Sequence, residues 1–190
     1  MIKYQDLSEE RKEQERQHYR EYGLQYDWWA GVHDYAHDTA AKFGLDIDDI
    51  FFSGFCSQGD GASYTGCIKF KPCDASELPA EVQDIYETLH EIDSLIKILN
   101  SDECIYVDIT RNGGSYYHEL SMRFSWDEYA WDDAGGLDAL IASKEREVYE
   151  ALCNYARWIY SILEEEYEHL TSDETIDEQL HDTEYDDEQD

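Results

Sequence analysis

The sequence predicts an α+β domain: an antiparallel sheet of about four strands, made of two hairpins, with long helices on one side. Three observations carry this reading. Ile50 to Phe70 holds two short runs of aromatic, β-branched and small residues around a loop rich in Gly, Ser and Asp. Cys104 to Trp126 repeats the pattern around Asn112-Gly113-Gly114. Stretches of helical periodicity precede, separate and follow the two, giving the order helix, hairpin, helix, hairpin, helix.

The first helical stretch, residues 8–22, is polar nearly all round, with Glu9, Arg11, Lys12, Glu13 and Arg16 at helical neighbour spacings. It reads as a solvated helix held by ion pairs, or as an arm that docks on something else. A second helix is expected after Asp27 as N-cap, with Trp28, Val32, Tyr35, Ala36, Thr39 and Phe43 as its apolar stripe and Gly44 as its stop. In the first hairpin, Ile50, Phe52, Gly54 and Cys56 alternate with Phe51, Ser53 and Phe55. Gly59-Asp60-Gly61 is its turn, and that reading expects Asp60→Asn to leave folding and activity nearly intact.

Pro79 opens a helix that runs to Leu99, where Val82, Ile85, Leu89, Ile92, Ile96 and Leu99 recur at steps of three and four. Such a stripe packs along its length against a sheet, a helix or a second copy of the chain. The second hairpin pairs Cys104–Thr110 with Ser115–Trp126. A long helix from Leu137 to Leu170 follows, and a short one restarts at Thr171, which has capping-box spacing to Glu174. Residues 181–190 are an acidic tail without the apolar content to order itself. The expected organisation is therefore one domain over residues 1–180, with 1–22 as a docking helix.

Charge bounds the function. The net charge is −32, from 46 acidic and 14 basic residues. Residues 1–22 balance to −1, so the remaining 168 residues carry −31. A field of that sign repels nucleic acid and anionic membrane surfaces and attracts basic proteins. No apolar run approaches ~18 residues, which excludes a spanning helix. Cys56, Cys67, Cys73, Cys104 and Cys153 are odd in number with no paired spacing, as expected of reduced thiols in a cytosolic protein.

Ser53 to Gly66, SGFCSQGDGASYTG, resembles a motif of small acidic proteins encoded by bacteriophages and prophages. Tyr167 to Ile176 and the acidic end are also similar to that group. The resemblance implies a phage origin and action in the cytoplasm of a bacterial host. It brings no catalytic residues.

Other chemistries find incomplete residue sets in the sequence. Gly59, Gly61 and Gly66 meet neither the dinucleotide fingerprint nor the P-loop pattern, and Asp60 stands in their midst. Ser57, Ser63 or Thr65 as nucleophile needs a base, for which His118 is the candidate. His33 and His37 have the i, i+4 spacing of a helical zinc motif but no third ligand, so neither metal nor cofactor is expected. The favoured expectation is a DNA mimic that occupies the nucleic-acid-binding groove of a basic host defence or DNA-processing protein. Its partner-binding surface is expected at Tyr116, Tyr117, Trp126, Asp127, Glu128, Tyr129, Trp131, Asp132 and Asp133, aromatic anchors among carboxylates. A small enzyme using the hairpin loop and an antitoxin-like binding module are the alternatives, and a homodimer is a further expectation.

Overall fold

The computed structural model describes residues 1–25, 27–99, 104–114, 116–126 and 138–186. In chain order the elements are β1 (Ile2–Lys3), α1 (Glu9–Tyr22), α2 (Ala30–Lys42), β2 (Leu45–Ser53), β3 (Gly61–Lys69), α3 (Ala80–Leu99), β4 (Tyr106–Arg111), β5 (Met122–Trp126), α4 (Asp138–Leu170), α5 (Asp173–Leu180) and β6 (Glu184–Tyr185). Among the described residues these give five α-helices, an antiparallel sheet ordered β2-β3-β4-β5, and a two-stranded sheet of β1 with β6. The fold is α+β, as the two hairpin patterns predict.

The chain divides into two compact units, Val32–Ile162 and Met1–Gly31 with Leu163–Asp190. The first contains the four-stranded sheet. Register places Leu45, Tyr64, Ile68, Val107, Ile109, Met122 and Trp126 on one face, all 9% exposed or less. Asp46, Asp49, Lys69, Asp108, Thr110, Arg123 and Ser125 are exposed. Alternation of period two is what a sheet covered on one side requires.

The cover comes from helices. Val82, Ile85, Leu89, Ile92 and Ile96 of α3 are buried, so the three-and-four stripe is a core stripe. From α4, Val148, Leu152, Tyr155 and Ile159 are fully buried. Two buried hydroxyls stitch the layers: Tyr64 Oη donates to the Leu152 carbonyl at 3.0 Å, and Tyr155 Oη to the Ala36 carbonyl at 2.7 Å. Each satisfies a polar group that would cost about 1–3 kcal/mol unpaired. Asp93, 1% exposed, accepts from Lys97 Nζ at 2.7 Å and from the Ile105 backbone N–H at 3.3 Å, fixing where the chain re-enters the sheet.

In the second unit the two chain ends pack on each other. Arg16 holds Asp177 through Nε and Nη2, both at 2.7 Å, and Arg20 reaches the Thr171 carbonyl and Asp173. Two arginines of α1, Arg16 and Arg20, are thus paired inside the chain with acids of α5, whereas Arg11 and Lys12 pair with Glu15 and Glu9 of α1 itself. The tail is ordered in part: Ile2 pairs with Tyr185 and Lys3 with Glu184. The cap of α5 is Ser172, whose Oγ accepts the Thr175 N–H at 3.3 Å, while the Thr171 hydroxyl turns back to the Tyr167 carbonyl.

Candidate functional site

Antiparallel pairing brings two loops to the same end of the large sheet. The first, between Ser53 and Gly61, is closed by its own acid. The Asp60 carboxylate accepts the backbone N–H of Ser57 at 2.6 Å and of Cys56 at 3.0 Å, while the Asp60 N–H donates to the Ser57 carbonyl. Those donors, Ser57 first, hold the exposed carboxyl below the usual carboxylate range. Gly59 has φ +104°, the left-handed region that glycine adopts without a Cβ penalty. Tyr160 Oη donates to the Gly54 carbonyl at 2.8 Å, and its ring packs on Phe55. The turn at Gly59-Asp60-Gly61 is therefore present, with a carboxylate seated where a phosphate-cradling loop would hold its ligand.

The second loop joins β4 to β5 through residues 112–121. The expected strand from Ser115 begins instead at Met122, after a short 3-10 turn at Glu119–Ser121. Its ends are tied by Asn112 N–H to the Ser121 carbonyl at 2.9 Å. Arg111 Nη2 donates to the Tyr116 carbonyl at 2.9 Å. Its guanidinium lies 4.4 Å from the Phe51 ring centre and 4.8 Å from that of Tyr117, two rings within 4° of parallel. The Leu120 N–H donates to His118 Nδ1 at 3.1 Å, and Arg157 Nε holds Glu119 at 2.8 Å. On this braced loop Tyr116 is 65% and Leu120 70% exposed, and both line a depression of about 240 Å³ together with Asn112, Gly113, Gly114, His118 and Ser121.

The loops also touch each other. A Cβ on Gly61 would meet His118 Cβ at 2.6 Å, and one on Gly59 would sit 3.4 Å from the Tyr116 ring. Sequence alone did not join these segments, which lie more than fifty residues apart. The two glycines were the available signal.

The expected partner surface is rearranged. Arg111 pairs with Met122 and Val107 with Trp126, so Tyr116 and Tyr117 sit at the opposite end of β5 from Trp126. Four strand steps separate those ends by about 13 Å. Trp126 is 9% exposed and packs edge-on against Tyr149, a core residue rather than a surface anchor. Asp127, Glu128, Tyr129, Trp131, Asp132 and Asp133 lie outside the described residues.

A carboxylate face appears elsewhere in the same unit. Glu81, Asp84, Glu87 and Glu91 run along the exposed side of α3 at steps of three and four. Asp84 shares a groove of about 210 Å³ with Glu147, Glu150 and Asn154 of α4, floored by Ile85 and Ala151. Among the described residues no Lys or Arg pairs with Glu81, Asp84, Glu87, Glu91 or Glu150, whereas Glu147 is held by Lys144 at 2.7 Å. Neighbours at these spacings stand about 5–6 Å apart on a helix. The α3 stripe contained this face implicitly, since the residues it leaves out are those turned to solvent.

The hairpin nucleophile reading finds no paired geometry. Ser63 is fully buried and its Oγ has no hydrogen-bond partner, so it makes no bond to His118, whose Nδ1 is occupied. His33 packs edge-on against Phe52 at 6.0 Å, and burial, with His37 second, pushes its imidazole below the usual value. Among the described residues no three His, Cys, Asp or Glu side chains converge as a metal set.

Residues 28–173 match the family described as a domain of unknown function, DUF8835. The chain belongs to that family. Its span takes in all of the sheet-bearing unit and both loops, and it leaves out α1 and its arginines. No curated protein and no solved structure matches the chain. Among the described residues no helix is long and apolar enough to cross a membrane.

Proposed function

We propose that this DUF8835 protein is an acidic inhibitor of phage type, a DNA mimic that occupies the nucleic-acid-binding groove of a basic host defence or DNA-processing protein. The observation that carries the reading is the uncompensated row Glu81, Asp84, Glu87 and Glu91 on α3, with Glu147 and Glu150 across the groove. B-DNA offers phosphates on two strands at about 3.4 Å of rise per strand. The α3 row, with the uncompensated Glu150 across the groove, presents negative charge at fixed spacing on packed helices. Fixed spacing matters because a flexible acidic tail loses more entropy on docking.

Two further features support it. The −32 charge steers association with a basic groove and raises the on-rate at low salt. The Lys and Arg side chains of α1 are paired within their own unit, Arg16 and Arg20 with α5 and Arg11 and Lys12 with α1. The phage setting rests on the resemblance of the Ser53–Gly66 motif, and action in the bacterial cytoplasm follows from it.

The test is capture from a bacterial lysate on the immobilised chain, followed by elution with duplex DNA. The eluted protein should bind more weakly at high salt and to a variant carrying Glu81→Gln, Asp84→Asn, Glu87→Gln and Glu91→Gln. Salt-insensitive binding, or simultaneous binding of DNA and this chain in one groove, would overturn the reading.

A further inference from the structure

The end of the sheet that carries the two loops is nearly free of the charge that covers the rest of the chain. Residues 50–66 and 109–126 contain two acids, Asp60 and Glu119, together with Arg111 and Arg123. Both acids are engaged, Asp60 by the backbone of its own loop and Glu119 by Arg157. Within this neutral end stand Tyr116 and Leu120, two of the most exposed large side chains among the described residues, next to the depression between them and Asn112–Gly114. The loop that presents them is braced by the Arg111, Asn112, His118 and Glu119 bonds, so little entropy remains to be lost on docking. Exposed apolar groups on a prepared, desolvatable surface mark a contact site.

We infer that this end is a self-association surface, and that its occupant is a second copy of the chain. Charge decides the occupant. A basic groove has its match on the α3 row and gains nothing from an end whose two acids are already engaged. Two copies at −32 each repel everywhere except where carboxylates are absent or engaged. An exposed Leu120 on the wall of an open depression also suits a two-fold axis, along which each copy's leucine can enter the other's hollow. The contact leaves the α3 carboxylates of both copies open.

Salt separates this inference from the proposed mimicry, because the two respond in opposite directions. Screening weakens attraction to a basic partner and relieves repulsion between like-charged copies. Sedimentation equilibrium of the full chain at low and high sodium chloride is the experiment. The expected result is a monomer–dimer equilibrium that tightens with salt. Leu120→Glu should raise the dimer dissociation constant about tenfold or more, as for a central interface anchor. Tyr116→Ser should act in the same direction if Leu120→Glu perturbs folding, as read by far-ultraviolet circular dichroism. The four-fold α3 variant should dimerise at least as well as wild type while losing lysate capture, so failure of one reading does not mimic failure of the other. A monomer at both salt levels would overturn the inference, as would a dimer untouched by both Leu120→Glu and Tyr116→Ser. Loss of lysate capture on Leu120→Glu with a monomeric wild type would assign the surface to a different protein instead.

Discussion

Gly61 lies so close to His118 that a Cβ on the glycine would come within 2.6 Å of the histidine's own Cβ, and within 2.9 Å of its Cα. The atoms in the way are backbone and the first side-chain carbon, which cannot rotate aside. Gly61→Ala should therefore push the β4–β5 connection off β3 and cost about 1–3 kcal/mol. Gly113→Ala, with nothing within 4 Å of its added carbon, should leave stability within about 0.5 kcal/mol. Thermal denaturation of the two variants beside wild type measures the contrast.

Asp60 should prove an ordering residue for its loop rather than a replaceable turn residue. Asp60→Ala removes the acceptor of two backbone N–H groups, and hydrogen exchange at Cys56 and Ser57 should accelerate while exchange in α3 does not. Asp60→Asn keeps one carbonyl oxygen and should fall between. The pH dependence has a definite sign. Because the folded carboxyl lies below the unfolded value of about 3.9, the ordering is present above that value and is lost as pH falls through the lower, folded one.

Asp177 is the hinge pin of the unit built from the chain ends. Arg16 and the Tyr4 hydroxyl both reach it, and Arg16 first among them holds its carboxyl below the usual carboxylate range. Asp177→Asn should weaken the attachment of α1 by about 1 kcal/mol, limited by the exposure of the carboxylate to water and salt. In wild type the same loss should set in on acidification below the unfolded carboxyl value, by the sign argued for Asp60. Proteolytic release of the α1 segment, followed against pH and in the variant, reads it out.

Four of the five cysteines should react with iodoacetamide in the order of their surroundings. Cys56 is exposed on the first loop and should be modified first. Cys153, pushed up to about 11 chiefly by burial, carries very little thiolate near neutral pH and should be slowest. Cys67 and Cys73, raised by burial and then, for Cys67, by Asp46, should fall between. A native count below five without reductant, rising only with reductant, would show disulfides. Peptide mass mapping over a time course gives the order.

What the sequence by itself determined is what depends on neighbours along the chain. The α3 stripe, the hairpin turn at Gly59-Asp60-Gly61 and the −31 outside residues 1–22 are all readable along the chain, the stripe because helix geometry repeats every 3.6 residues. Which distant segments meet is decided by strand register and by the packing of chain ends, and neither has a local signature. Tyr116 and Trp126 are ten residues apart in sequence and look like neighbours, yet β5 carries them to opposite ends of the sheet. Tyr116 and Gly59 are far apart in sequence, yet a Cβ on the glycine would lie 3.4 Å from the tyrosine ring. Arg16 looks solvated along its own helix and is spent on Asp177, 161 residues away. Side-chain chemistry was legible in the sequence; the partner each side chain found was settled by tertiary contacts, where the free energy of burial and ion pairing is shared between segments that no short window contains.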